Sequence, residues 1–328
     1  MKTHVRWCAA VVAVVLATSP LRSFAAEPTP PGPWKFTSIA TLNFTQSAFT
    51  ANWYGGDTGS LLWVLGTDSN AERQFSEDFN LSNHLVLAYG QSASQARDPV
   101  NPEHITWDAP EKSNDRIDFE SVGRWTEGWF ADPYASFGVT SQFEDAASDP
   151  FGTRTIAFSP VRLDEAIGLA RVIQKTDDRE AIARLGFGLR QTFAKTYLSP
   201  LTDDLTSSHA TDGGVEFQLN ATQPMLGKTV LYKGELRLFQ SVFYSNDDEL
   251  AATLPSAADY WKTIDVNFQN GFTGSINKWL GVTLTAQFLY DKFDSAANTA
   301  DLADVQRKIR KAGQFKETFA LTLSYKLF

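Results

Sequence analysis

The sequence predicts an all-β fold: a closed antiparallel up-and-down transmembrane β-barrel of about twelve strands. Three observations point there. Apolar and polar residues alternate at period two along most of the chain. The connections between these stretches run long and short by turns, and Trp and Tyr gather near the stretch ends.

The 328 residues are 43% apolar, 20% charged and 13% aromatic, too rich in core-forming side chains for a disordered chain. A mean hydropathy of −0.24 is too polar for a helical membrane protein. An excess of 38 acidic over 29 basic residues argues against nucleic acid as a partner.

Residues 1–25 read as a signal peptide. Lys2 and Arg6 form the basic start, Ala9 to Ala17 the apolar core, and Ser23-Phe24-Ala25 the small-x-small cleavage site. The single cysteine, Cys8, leaves with this leader, so the mature chain is expected to hold no disulfide and no cysteine-ligated metal. Residues 26–35 form a proline-rich periplasmic lead-in, and 36–328 the barrel.

Strands are expected at 36–50, 59–67, 74–91, 115–131, 134–143, 162–174, 181–196, 212–222, 230–243, 260–273, 279–291 and 314–327. Phe75, Phe79, Leu81, Leu85, Leu87 and Tyr89 share one face, while Ser76, Asp78, Asn80, Ser82 and His84 share the other. The pattern recurs in Val215-Phe217-Leu219, in Ile264-Val266-Phe268, in Leu280 to Tyr290 and in Phe319 to Leu327. Most of these strands exceed the usual soluble length, and about ten tilted residues cross a bilayer's hydrocarbon layer.

The short connections (Asp132-Pro133, 175–180, 223–229 and 274–278) fall on one side, and the long ones on the other. A barrel with tight periplasmic turns and long outer loops has this form. Trp129, Phe130, Tyr134, Tyr232, Trp279 and Tyr325 would make the inner aromatic girdle. The outer girdle would take Trp53, Tyr54, Tyr89, Tyr197, Tyr244, Tyr260, Trp261 and Tyr290.

With the apolar set facing lipid, the polar set lines the lumen. The candidates are Asp78, His84, Arg116, Asp118, Glu120, Arg124, Arg184, Arg190, Lys233, Glu235 and Arg237, joined by Glu216, Asp265, Lys316 and Lys326. Charges of both signs are tolerated there if they are wet or paired. They make either a polar conduit that selects solutes or an Arg–carboxylate network that fills a narrow barrel. Ala166, Gly168, Ala170, Gly186 and Gly188 mark the level where the lumen is expected to be widest.

Enzyme signals are poor. His84, His104 and His209 have no metal-ligand spacing, and His104 and His209 are expected on loops. No catalytic residue, metal site or cofactor is expected. The acidic clusters Glu144-Asp145, Asp203-Asp204 and Asp247-Asp248-Glu249 read as solvated loop charge, with a divalent ion on lipopolysaccharide phosphate as the alternative. Leu302, Val305 and Ile309 stand at helical spacing amid Arg307, Lys308, Arg310 and Lys311, which leaves two readings, a short helix in the last loop or a charged mobile loop.

Trp53-Tyr54-Gly55-Gly56, Arg116-Ile117-Asp118, Ser199-Pro200-Leu201-Thr202, Leu289-Tyr290-Asp291, Gln314-Phe315-Lys316-Glu317 and the closing Leu323 to Phe328 are similar to motifs of one family. Through them most of the mature chain resembles uncharacterised bacterial barrels labelled domain of unknown function 3078. The resemblance implies an outer-membrane location and supplies no activity. Expected partners are outer-membrane lipids and lipopolysaccharide, the barrel-assembly machinery that reads a terminal residue such as Phe328, and an unidentified small solute. The leading expectation is passive passage or binding of small solutes. A lipid-acting enzyme and a plugged structural or surface-interaction barrel are the alternatives.

Overall fold

A computed structural model describes residues 30–50, 58–98, 100–101, 104–126, 129–146, 149, 151–152, 154–176, 178–310 and 312–328. The expected signal peptide and Trp53 to Gly56 lie outside them. Twelve long strands form the barrel: β1 (Lys35–Ser47), β2 (Ser60–Ser76), β3 (Phe79–Arg97), β4 (Glu111–Trp125), β5 (Asp132–Ser141), β6 (Val161–Lys175), β7 (Glu180–Tyr197), β8 (Leu205–Met225), β9 (Val230–Tyr244), β10 (Asp265–Ser275), β11 (Leu280–Tyr290) and β12 (Gln314–Lys326). Each pairs antiparallel with its neighbours in sequence, and β1 pairs with β12, so the sheet closes on itself and leaves no edge. At the seam Asn43 stands opposite Thr322, whose hydroxyl donates to Asn43 Oδ1 at 2.7 Å.

The short connections 77–78, 126–131, 176–179, 226–229 and 276–279 all lie at one end. Their chemistry is local. Asn277 Oδ1 accepts from the Trp279 and Leu280 amides, and Thr176 and Arg179 close their turn on each other. Gly227 takes a φ of 67°, which glycine adopts without a Cβ clash.

Several boundaries differ from the sequence reading, and three of them bear on the lumen and its mouth. β2 continues to Ser76 because Asp68, Asn70, Glu72 and Gln74 keep the alternation where a loop was expected. β4 ends at Trp125 and β5 starts at Asp132, so Asp132 and Pro133 lie inside β5 rather than in the fourth connection. Residues 260–262 form a 3-10 turn rather than strand.

Outward positions carry Phe44, Leu65, Phe137, Ile167, Leu169, Leu185, Phe187, Val215, Phe319, Leu321 and Leu323, all exposed large apolar side chains. A continuous apolar exterior of this size has no place in water and matches the hydrocarbon belt of a membrane barrel. Trp279 and Tyr325 meet edge to face at 6.4 Å at the short-turn end, as a girdle pair should. Several aromatics assigned to girdles pack inside instead: Tyr134 fills the lumen, and Tyr244, Tyr260 and Trp261 pack into the loops over the far end.

Those loops have a core of their own. Helix α1 (Asp247–Thr253) and helix α2 (Leu302–Lys308) bury Leu250 and Val305 completely, against Tyr244, Phe293 and Ala297. α2 realises the helical reading of the last loop, started by Asp301, whose carboxylate accepts from the Ala303 amide at 2.9 Å. Asp247, Asp248 and Glu249, expected in a loop, form the first turn of α1, where acidic residues complement the helix dipole.

Candidate functional site

Side chains on strands that are not neighbours can meet only through the barrel interior, so such contacts map the lumen. Near the short-turn end Lys175 of β6 reaches Glu72 of β2 at 2.8 Å. Above it Lys233 of β9 reaches Asp68 of β2 at 2.8 Å, and Asp68 also holds His84 at 2.9 Å. At mid-height Arg184 of β7 joins Glu120 of β4 at 2.6 Å and bonds Gln218 of β8. Tyr134 of β5 donates to Glu216 of β8 at 3.0 Å. Nearby Arg116 pairs with Asp118 at 2.5 Å, and Arg237 with Glu235. Higher still Arg190 of β7 binds Asp212 of β8 and, at 2.8 Å, Asp265 of β10.

Of the eleven residues expected to line the lumen, Asp78 does not. It occupies the 77–78 turn, exposed, because β2 runs on to Ser76 and uses up the residues assigned to a loop. Arg124 sits at the short-turn end, 3.6 Å from Asp132. His84, Arg116, Asp118, Glu120, Arg184, Arg190, Lys233, Glu235 and Arg237 share the inward face, fixed by the register of their strands.

The small residues of β6 and β7 do not widen the lumen. They leave room that Tyr134 takes, only 2% exposed and packed on Ala166 and Ala170. A Cβ on Gly186 would come within 2.8 Å of the Tyr134 hydroxyl, and one on Gly188 within 3.0 Å of Glu216. Sequence alternation identifies these positions as inward but not the ring that crosses to them.

At the long-loop end main chain enters the lumen. Ser295 hydroxyl lies 3.0 Å from Thr192 and 3.4 Å from Arg162, both lumen-facing, so segment 291–301 dips into the mouth. Asp294 holds it there through Arg310 at 3.1 Å and, more loosely, Arg162 and Lys308, each at 3.8 Å. Burial pushes the Asp294 carboxyl up, but Lys308, Arg162 and Arg310 outweigh it and hold the pKa below the usual carboxylate range. Beneath this segment lies a small cleft lined by Arg190, Asp212, Tyr244, Trp261, Asp265 and Ser295.

On the outward face near the same end, His209 lies in β8 rather than in a loop. Its ring is tilted over Phe193 at 5.4 Å, and its Nε2 is 3.5 Å from Thr211 Oγ1. Beside them Gln191 donates to Glu165 at 3.2 Å. Among the described residues no group of three or more His, Cys, Asp or Glu is placed to hold a metal ion.

Residues 44–146 match the family described as "Protein of unknown function (DUF3078)". The chain resembles that family over this span. Arg116-Ile117-Asp118 falls inside it, whereas Ser199 to Thr202, Leu289 to Asp291 and Gln314 to Glu317 fall outside. No curated protein matches the sequence. Solved structures similar to the chain include the following three. The beta domain of the Bordetella autotransporter Brka is 13% identical, over 91% of this chain and 99% of that one, with a TM-score of 0.30. The translocator domain of autotransporter NalP from Neisseria meningitidis is 8% identical, over 97% of each chain, with a TM-score of 0.33. An outer membrane channel from Pseudomonas putida F1 is 9% identical, over 94% of this chain and 98% of that one, with a TM-score of 0.35.

Proposed function

We propose that the protein is an outer-membrane barrel with a plugged lumen, which presents a folded cap at the cell surface and forms no steadily open pore. One observation carries this reading. Ion pairs cross the interior at successive heights, at Lys233–Asp68, Arg184–Glu120 and Arg190–Asp265, and segment 291–301 is bonded into the mouth above them. Fixed charges paired across a lumen displace the water file a solute would follow, so passive passage is the less favoured of the barrel readings. The apolar exterior supports residence in a membrane, and outer loops with a core of their own support contact with a surface partner.

Conductance of the purified full-length protein in planar bilayers tests this. The expected result is no steady current at any moderate voltage. A stable open conductance in the unmodified protein overturns the plugged reading and restores passive passage.

A lipid-acting enzyme has one observation in its favour, the outward His209–Thr211 pair beside Gln191 and Glu165. Among the described residues no carboxylate or carboxamide accepts from the other ring nitrogen of His209, so the orienting group of a triad is missing. Phospholipid turnover that disappears in His209→Ala would support this reading. Equal turnover in variant and parent would remove it.

A further inference from the structure

The cleft under the cap carries two buried polar atoms that nothing satisfies. Asp212 is 3% exposed and Tyr244 4% exposed. Among the described residues, neither Asp212 Oδ1 nor the Tyr244 hydroxyl has a hydrogen-bond partner. Both residues line the same cleft. Buried polar atoms are nearly always paired in native proteins, so two orphans facing one cavity point to something that occupies it.

The surroundings define the chemistry of the occupant. Arg190 is fully committed: its Nε and Nη2 go to Asp212 Oδ2 and its Nη1 goes to Asp265 Oδ2. Ser241 hydroxyl also donates to Asp212 Oδ2, at 2.9 Å. Oδ1, which can only accept, therefore waits for a donor from outside the protein. Among the residues that line the cleft one guanidinium serves two carboxylates, with Arg162 reaching only Ser295 at its edge, and this lining favours a cation. The walls are aromatic as well: Tyr244 lies 6.1 Å from Trp261 and 6.0 Å from Phe293, centroid to centroid. Ring faces around a small space attract a cation that carries its own donors.

The backbone is shaped to make this site. The ladder between β8 and β9 shifts register between Gly213 and Gly214, so Val242 is extruded and Tyr244 returns to the inward face, directly opposite Asp212. Only glycines permit the shift. A Cβ on Gly214 would stand 2.0 Å from the Gln240 carbonyl oxygen, and one on Gly213 would stand 2.3 Å from the Phe243 ring. Bulges of this kind re-aim side chains at functional places.

We propose that this cleft binds a primary ammonium group, of the ammonium or methylammonium class, between Asp212 Oδ1 and the Tyr244 hydroxyl. The proposal goes beyond the plugged-barrel reading and does not depend on it, because binding and conductance are measured separately.

Saturation-transfer NMR on the folded, detergent-solubilised full chain tests it, with methylammonium chloride as the probe. Saturation is expected to reach the methyl protons and to be competed away by ammonium chloride. Sodium chloride, and tetramethylammonium, which has no N–H, should not compete. Asp212→Asn and the milder Tyr244→Phe should each lower apparent affinity at least tenfold. Asp178→Asn, in a turn at the opposite end, should leave it unchanged. Heat-modifiable gel migration verifies that each variant is folded. No transfer to the parent protein means that the cleft holds water only and overturns the proposal. Equal transfer in both site variants, or equal displacement by sodium, overturns it too.

Discussion

In the proposed plugged barrel the two ends are closed by different means. From the short-turn end to mid-height the lumen is crossed by side chains reaching from opposite walls: Lys175 to Glu72, Lys233 to Asp68, Arg184 to Glu120 and Tyr134 to Glu216. At the long-loop end it is closed by chain, a cap with its own core around Leu250 and Val305 that lowers Ser295 between Thr192 and Arg162. The first kind of closure belongs to the strands and cannot leave without unfolding the barrel. The second hangs on loops, and a loop can open locally at far smaller free energy than the sheet beneath it.

Removing one charge from the half crossed by side chains should have the largest effect. Arg184→Ala leaves the Glu120 carboxylate and the Gln218 amide without their buried partner, which costs about 3–5 kcal/mol. Urea unfolding of the lipid-reconstituted barrel measures it, and a loss below 1 kcal/mol would mean that the middle of the lumen is already wet. In the cap, Leu250→Ala removes a fully buried side chain and costs about 2–5 kcal/mol of local stability. Proteolysis within 245–264 should speed up while the barrel keeps its folded gel migration. Simultaneous loss of both would show that the cap and barrel unfold as one unit.

The difference between the two ends also explains what a reader of the sequence can and cannot see. Alternation is a property of the backbone's pleat, so the inward assignment of His84, Glu120, Arg184 and Lys233 follows from parity alone once a strand is recognised. Parity fails at strand ends and bulges, which is where Asp78 and Tyr244 were misplaced. Asp78 depends on where β2 stops, and Tyr244 on the register shift at Gly213-Gly214. Which inward residues touch across the lumen depends on barrel diameter and stagger, which no local pattern encodes, so Tyr134 filling the small-residue patch was not legible. The cap was only half visible. The apolar spacing of α2 stands out in the sequence, whereas α1 hides in an acidic run whose charges are helix-starting residues.

A substitution one position along from Arg184 sharpens the contrast between the faces. Leu185 points outward and is 57% exposed. If that face meets acyl chains, Leu185→Arg costs about 2–4 kcal/mol in lipid, less than the loss expected of Arg184→Ala. The same urea titration reads it. Tolerance of arginine at 185 would argue that the apolar exterior is covered by something wetter than a bilayer.

The smallest effect concerns pH and separates the two closures again. Asp294 sits in the cap, outside the strands, and its carboxyl is held below the ordinary range because Lys308, Arg162 and Arg310 outweigh its burial. A depressed folded-state pKa means that the ion pairs contribute their full stability above the unfolded carboxylate value of about 4, and that this is lost as pH falls through the lower folded value. Amide protection in segment 291–301, meaning the exchange rate relative to an unstructured chain at the same pH, should therefore be unchanged between about pH 7 and 5 and should weaken once the pH drops below about 4. In Asp294→Asn the charge is absent at every pH, so protection should already be weaker at neutral pH and should lose most of its acid dependence. The result that breaks the assignment is a variant with the parent's acid transition intact. The cap would then be released by other carboxylates, and Asp291, which pairs with Arg310 at 2.5 Å, is the first to replace next.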